Sequence, residues 1–153
     1  MEEIIMKKVC ALLIVLVLAI SVVPATAFTY ETLNIEIDGA SVYIPEEYGA
    51  VIIVDNRTMV PVRFISEILG FSVAWDNQTQ VVMFGNYANS VIVRIGVNMI
   101  ENIMTREVFE MDAAAMLYDN RTYIPIRFFA YAIGMGVSWD EDTQTVGLYN
   151  IAD

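Results

Sequence analysis

Asp55-Asn56-Arg57-Thr58-Met59-Val60-Pro61-Val62-Arg63-Phe64 is followed, further along the chain, by Asp119-Asn120-Arg121-Thr122-Tyr123-Ile124-Pro125-Ile126-Arg127-Phe128. The register continues through Gly70 and Gly134, Trp75 and Trp139, Asp76 and Asp140, Thr79 and Thr143, and Gln80 and Gln144, always at one separation (119 − 55 = 64; 144 − 80 = 64). A register unbroken through turns as well as apolar positions predicts that one whole folding unit was duplicated. Duplication of a supersecondary unit points towards a binding or structural module and away from a catalytic site assembled once.

Within the first copy, Asp55-Asn56-Arg57-Thr58 has turn chemistry, because Asp and Asn side chains bond nearby backbone and tolerate unusual dihedrals. Pro61 suits the first turn of a helix, where its missing N–H costs nothing. Phe64, Ile65, Ile68 and Leu69 fall at helical spacing, and Gly70 is placed to end the helix in the left-handed region. Phe71, Val73 and Trp75 then alternate with Ser72 and Ala74, Asp76-Asn77-Gln78 turns the chain, and Gln80 to Phe84 returns as a strand.

The second copy has the same construction with a greasier helix: Phe128, Phe129, Ala130, Tyr131, Ala132 and Ile133 are apolar nearly all round, so strands must cover it on several sides. Gly134 stops it, Val137 and Trp139 lead into Asp140-Glu141-Asp142, and Thr143 to Tyr149 returns. Upstream, Leu33 to Ile37 and Ser41 to Ile44 flank Asp38-Gly39-Ala40, a hairpin signal. Val91 to Ile95 and Val108 to Glu110 add strands around a less legible stretch from Val97 to Glu107. Short helices among mostly antiparallel strands predict an α+β fold, an antiparallel β-sheet twisted around short helices. Repeat one spans about 33–84 and repeat two about 91–149. Each alone has too little apolar surface to hide its helix, so the two are expected to fold as one cooperative domain.

The first 27 residues read as a signal peptide: Lys7-Lys8, an apolar run from Val9 to Val23, and Ala25-Thr26-Ala27 before cleavage at Phe28. Glu2 and Glu3 are out of place in such a segment, and Met6 offers an alternative start with the same mature product. The competing reading is an uncleaved membrane anchor. The only cysteine, Cys10, lies inside this segment, so no disulfide is available to the mature chain, 28–153. Glu2, Glu3, Lys7 and Lys8 leave with the signal and their charges cancel, so the net charge stays at −11 with arginine as the only basic side chain. That charge disfavours nucleic acid and anionic lipid as partners.

The succession D-N-R-T, V-P-V-R-F, a short helix ending in L-G, and V-x-W-D-x-x-T-Q-x-V resembles the copper amine oxidase N-terminal-like, or stalk, domain family. It runs from Asp55 to Val82 and again, with Ile for Val around the second proline and Ile133-Gly134 for Leu69-Gly70, from Asp119 to Val146. The resemblance implies an extracytoplasmic bacterial module in which an antiparallel sheet twists around a helix, set apart from catalysis. The oxidase activity does not carry over, because the copper ligands of those enzymes are histidines and this chain has none. No cofactor or metal is expected.

Neither a Ser-His nor a Cys-His pair can form, so Ser66 and Ser72 read as ordinary serines. Asp140, Glu141 and Asp142 crowd a turn but lack the spacing of a calcium loop, and a solvated turn is the expectation. Arg63 and Arg127 sit near helix starts, where their charge opposes the helix dipole, so each is expected to pair with the hairpin of its own copy, Arg63 with Asp76 and Arg127 with Asp140. The alternative is a pair of anion-recognition sites. Trp75 and Trp139 alternate onto one strand face with Val73 and Val137, and core packing is expected over carbohydrate stacking.

The function expected is therefore a noncatalytic secreted or cell-envelope interaction or structural module. Its partner would be an envelope protein, a cell-wall polymer or a second copy of the chain, and a membrane only if the signal segment is retained. A carbohydrate or peptidoglycan binder using Tyr30, Tyr43, Tyr48 and Tyr87 is the alternative. A hydrolase built on carboxylates alone is the remote third. The repeated positions proposed to carry the scaffold are Asp55, Arg57, Pro61, Arg63, Gly70, Trp75 and Asp76, with Asp119, Arg121, Pro125, Arg127, Gly134, Trp139 and Asp140.

Overall fold

The computed structural model of the chain describes residues 33–151. The expected signal segment, 1–27, and Tyr30 lie outside the described residues. Thirteen strands and two short helices form an α+β fold, with one further 3-10 turn at Glu46–Tyr48. The strands are β1 (Asn34–Ile37), β2 (Ala40–Val42), β3 (Ile52–Val54), β4 (Arg57–Pro61), β5 (Ser72–Asp76), β6 (Val81–Gly85), β7 (Ser90–Arg94), β8 (Met99–Asn102), β9 (Glu107–Glu110), β10 (Met116–Tyr118), β11 (Arg121–Pro125), β12 (Met135–Asp140) and β13 (Thr145–Asn150). The helices are α1 (Val62–Ile68) and α2 (Ile126–Ala132).

The D-N-R-T stretches divide differently from the sequence expectation. Only Asp55-Asn56 and Asp119-Asn120 turn, with φ of 48° and 65° in the first pair and 44° and 61° in the second. Two successive positive φ values define the hairpin turn whose twist matches that of the flanking strands. Arg57 and Arg121 already belong to strands, and Pro61 and Pro125 are the last strand residues, each capping the helix that follows. Proline serves here because its fixed φ suits both the strand end and the helix entry, and it has no N–H to leave unpaired. Gly70 and Gly134, at φ 77° and 75°, end the helices as expected.

The sheets have orders β12-β13-β1-β2, β10-β11-β4-β3 and β5-β6-β7-β8-β9. In the second of these, β4 and β11 run antiparallel with Met59 opposite Pro125, Val60 opposite Ile124, and Pro61 opposite Tyr123. Moving each residue to its counterpart 64 positions away exchanges the outer two pairs and leaves the middle pair unchanged. The two hairpins therefore meet about a local two-fold axis between Val60 and Ile124.

Flanking strands are shared across the boundaries expected from the sequence. β7 extends the first hairpin sheet antiparallel to β6, whereas the upstream hairpin, β1-β2, closes the sheet of the second through β13. The β1–β13 pairing is parallel, an exception to the antiparallel sheet expected. Asp38, in the β1-β2 turn, accepts hydrogen bonds from the Asn150 backbone N–H at 2.9 Å and its side-chain amide at 2.8 Å, tying the two ends of the fold together. β3, β8 and β10, like β4 and β11, are strands that the sequence pattern does not distinguish.

Apolar residues from both halves join in one core, from Ile35 and Val51 through Phe64, Ile65, Phe84 and Phe129 to Leu148. As its composition requires, α2 packs against strands of all three sheets, β4 and β11, β8 and β9, and β12. Phe129 stacks on Phe84 at 4.9 Å between ring centres, which locks α2 onto the sheet that follows α1. A second buried cluster, Ile52, Met59 and Tyr123, lies on the opposite face of the β4-β11 sheet from Val60 and Ile124.

Candidate functional site

The local two-fold places each D-N-R-T hairpin against the helix entry of the other half. Two open clefts result, of about 560 and 1020 Å³. The first has Pro61, Val62, Arg63, Val73, Trp75, Asn77 and Val82 on one side and Leu117, Asn120, Arg121 and Thr122 on the other. The second has Pro125, Ile126, Arg127, Val137, Trp139, Glu141 and Val146 facing Ile53, Asn56, Arg57 and Thr58. Every residue of the second set is the counterpart, 64 positions away, of one in the first. Both clefts are composite: the Arg and Trp of one wall come from one half, and the Asn, Arg and Thr of the other wall from the other.

Trp75 and Trp139 are not core residues. They are 36% and 47% exposed and present indole surface to their clefts, correcting the packing expected from strand alternation. The reason lies in the hairpins that carry them: β5 is an edge strand, and all of its residues from Ala74 to Asp76 are exposed. β12 is likewise an edge, with Ser138 to Asp140 exposed.

The expected Arg–Asp ties within each half are also absent. Arg63 pairs with Glu67 one turn along its own helix, at 3.3 Å and largely in solvent. Asp76 instead binds its own turn, accepting from the Thr79 hydroxyl at 2.7 Å and the Gln78 N–H at 2.8 Å. Asp140 accepts from the Asp142 N–H at 2.9 Å and the Thr143 N–H at 3.2 Å. These bonds hold both carboxyls below the usual Asp range, led by the Thr79 hydroxyl at Asp76 and by the Thr143 backbone at Asp140. A short Asp side chain reaches the N–H groups two and three residues on more readily than a guanidinium across the sheet.

The arginines that fasten the structure are the other pair. Arg57 bonds the Asp55 carbonyl and forms an ion pair with Asp112 at 3.2 Å. Arg121 bonds both the carbonyl and the carboxylate of Asp119, and also grips the Glu47 carbonyl through Nε at 3.2 Å and Nη2 at 3.0 Å. Each thus braces its hairpin turn and ties it to a neighbouring loop. Of the arginines at 57, 63, 94, 106, 121 and 127, four line the clefts, although the chain as a whole is strongly acidic.

The two clefts differ at several positions, with Asp112 and Glu141 in the second where the first has Tyr48 and Asn77, and they differ again beside the helix-entry arginine. Glu67 stands beside Arg63 and also accepts a 2.7 Å hydrogen bond from the Tyr48 hydroxyl, whose ionisation it raises above the ordinary tyrosine range. Its counterpart beside Arg127 is Tyr131, an aromatic side chain 42% exposed that lines the second cleft. Arg127 has no ion pair or hydrogen bond among the described residues. The Glu-to-Tyr difference is visible when the sequence is set against itself at a separation of 64, but its effect on the arginine is not.

Of the carboxylates lining the clefts, Asp119 and Asp112 are taken up by Arg121 and Arg57, while Glu47 in the first and Glu141 in the second form no ion pair among the described residues. Among the described residues no group of three or more His, Cys, Asp or Glu is placed to hold a metal ion. No described helix is long and apolar enough to cross a membrane.

The arrangement is that of a small α+β domain with open clefts and mostly antiparallel sheets. The family model for the copper amine oxidase N-terminal domain matches residues 32–148, and the chain belongs to that family. The matched domain is an accessory part of the family and not its catalytic part. No curated protein matches the chain.

Proposed function

We propose that the chain is an exported, noncatalytic interaction module of the bacterial cell envelope, built by internal duplication, whose paired clefts contact a wall polymer. The observation carrying this reading is the surface placement of Trp75 and Trp139 beside arginines in both clefts. Exposed indole gives a flat apolar face for a sugar ring, and arginine gives planar donors for polar substituents. The absence of histidine from the sequence removes the copper chemistry of the oxidases, and family membership supports an accessory role. Export rests on the Lys7-Lys8, apolar and Ala25-Thr26-Ala27 succession.

The test is retention of the mature chain, 28–153, on purified cell wall. Wild type is expected to be retained, and a Trp75→Ala, Trp139→Ala double variant of unchanged circular dichroism is expected to pass through. Equal retention of both proteins, or none of either, refutes the reading.

A further inference from the structure

We propose that, of the two clefts, the second binds a carboxylate carried on a sugar ring of that wall polymer, with the first closed to this group by Glu67. This deepens the wall-polymer reading and rests on it. Two differences between the clefts carry the inference, set against a third, Glu141 in the second where the first has Asn77. In the second, Arg127 has no partner among the described residues, whereas Arg63 in the first is already paired with Glu67. Each cleft is lined by two aromatic side chains, Trp139 and Tyr131 in the second and Trp75 and Tyr48 in the first, where the Tyr48 hydroxyl is engaged by Glu67. The second cleft is also the roomier, about 1020 against 560 Å³, and ample for an oligosaccharide segment.

The chemistry follows from these groups. An exposed guanidinium with free donors takes a carboxylate through two parallel hydrogen bonds. Within the second cleft, Arg57 is neutralised by Asp112, and Arg127 is the cation left without an ion pair among the described residues, although Glu141 lines the same cleft. Aromatic faces favour the C–H side of a pyranose over the flexible backbone of an acidic peptide, and this selects the glycan. Arg57 on the facing wall is held by Asp112 and the Asp55 carbonyl, so it shapes the cleft without competing for the ligand.

The sequence contains two tryptophans, which makes the test direct. A Trp75→Phe variant leaves Trp139 as the sole indole, and titration with trigalacturonate is expected to change its fluorescence with one site per chain. The Trp139→Phe variant is expected to show no change. Arg127→Ala is expected to weaken binding roughly 10- to 100-fold, corresponding to loss of a charged hydrogen-bonded contact. Tyr131→Glu, which recreates beside Arg127 the pairing of Glu67 with Arg63, is expected to abolish binding with circular dichroism unchanged. Glu67→Tyr is expected to open the first cleft and raise the stoichiometry towards two. Neutral maltotriose binding as tightly as trigalacturonate overturns the carboxylate assignment, and a tri-glutamate peptide binding as tightly overturns the glycan assignment. Trigalacturonate binding unaffected by Arg127→Ala and Tyr131→Glu overturns the site. Retention on whole wall that survives those two substitutions locates the failure in this inference, whereas absence of retention in the wild type also removes the reading beneath it.

Discussion

Replacing Asn102 with Ala should be among the most damaging polar substitutions in the protein. Asn102 is 1% exposed at the end of β8, and its side chain makes four hydrogen bonds. Its amide donates to the Ala132 carbonyl at the end of α2 at 2.8 Å and to Asn89 at 3.1 Å. Its oxygen accepts from the Met104 and Thr105 N–H groups, at 3.0 and 3.2 Å, shaping the β8-β9 turn. These contributions differ in size. The turn N–H groups are on exposed residues and regain water, so their loss costs roughly 0.5–1 kcal/mol. Ala132 is buried, and leaving its carbonyl without a donor costs about 1–3 kcal/mol. The total, about 1.5–4 kcal/mol, is a large share of the roughly 5–15 kcal/mol that holds a domain folded.

For a domain of this size the corresponding fall in Tm is roughly 6–16 °C. Urea unfolding followed by circular dichroism and by tryptophan fluorescence measures it, and a single transition is expected by both probes because the lost contact lies inside the common core. Asn102→Asp separates the two contributions. It retains the turn acceptor and loses the amide donors, so most of the destabilisation should remain. A loss under about 0.5 kcal/mol in Asn102→Ala, or full stability in Asn102→Asp, would show that the link between β8 and α2 carries little energy and refute the reasoning.

The other predictions rest on smaller differences between the two halves. Arg63→Ala and Arg127→Ala should each change stability by less than about 0.5 kcal/mol in thermal melts, since one takes part in an exposed ion pair and the other in none among the described residues; a loss above about 1 kcal/mol in either would restore a scaffold role. Ser66→Ala should stabilise by about 1 kcal/mol, because the Ser66 hydroxyl is buried without a partner and Ala130 already occupies the matching position in α2. An unchanged or lower urea midpoint would contradict this. NMR titration should place the Asp76 and Asp140 midpoints below that of a free Asp carboxyl. A depressed folded-state value means that the stabilisation is present above the unfolded-state value and lost as pH falls through the folded one, so the hairpin turns should loosen only in acid. Thr79→Val should return the Asp76 midpoint towards the ordinary value and leave that of Asp140 alone.

The sequence by itself determined the features set by neighbours along the chain. The Asp-Asn and Asp-Gly turns, the helices closed by Gly70 and Gly134, and the hairpins turned at Asp76 and Asp140 follow from residues within a few positions of one another. Backbone strain and short side-chain contacts decide such features locally. The greasy composition of α2 likewise announced a helix covered on several sides. Which arginine braces the fold was beyond reach, because Arg57 and Arg63 look alike in sequence. The Asp55 carbonyl and Glu67 are near neighbours of Arg57 and Arg63 along the chain, and only the tertiary arrangement brought Asp112 to Arg57. Alternation likewise could put Trp75 and Trp139 on one face of a strand, but not say whether anything covers that face. The clefts belong wholly to tertiary structure. Each takes one wall from each half, and the walls meet because Val60 and Ile124 pair across a local two-fold, a contact between strands far apart in the chain whose register depends on what both bury.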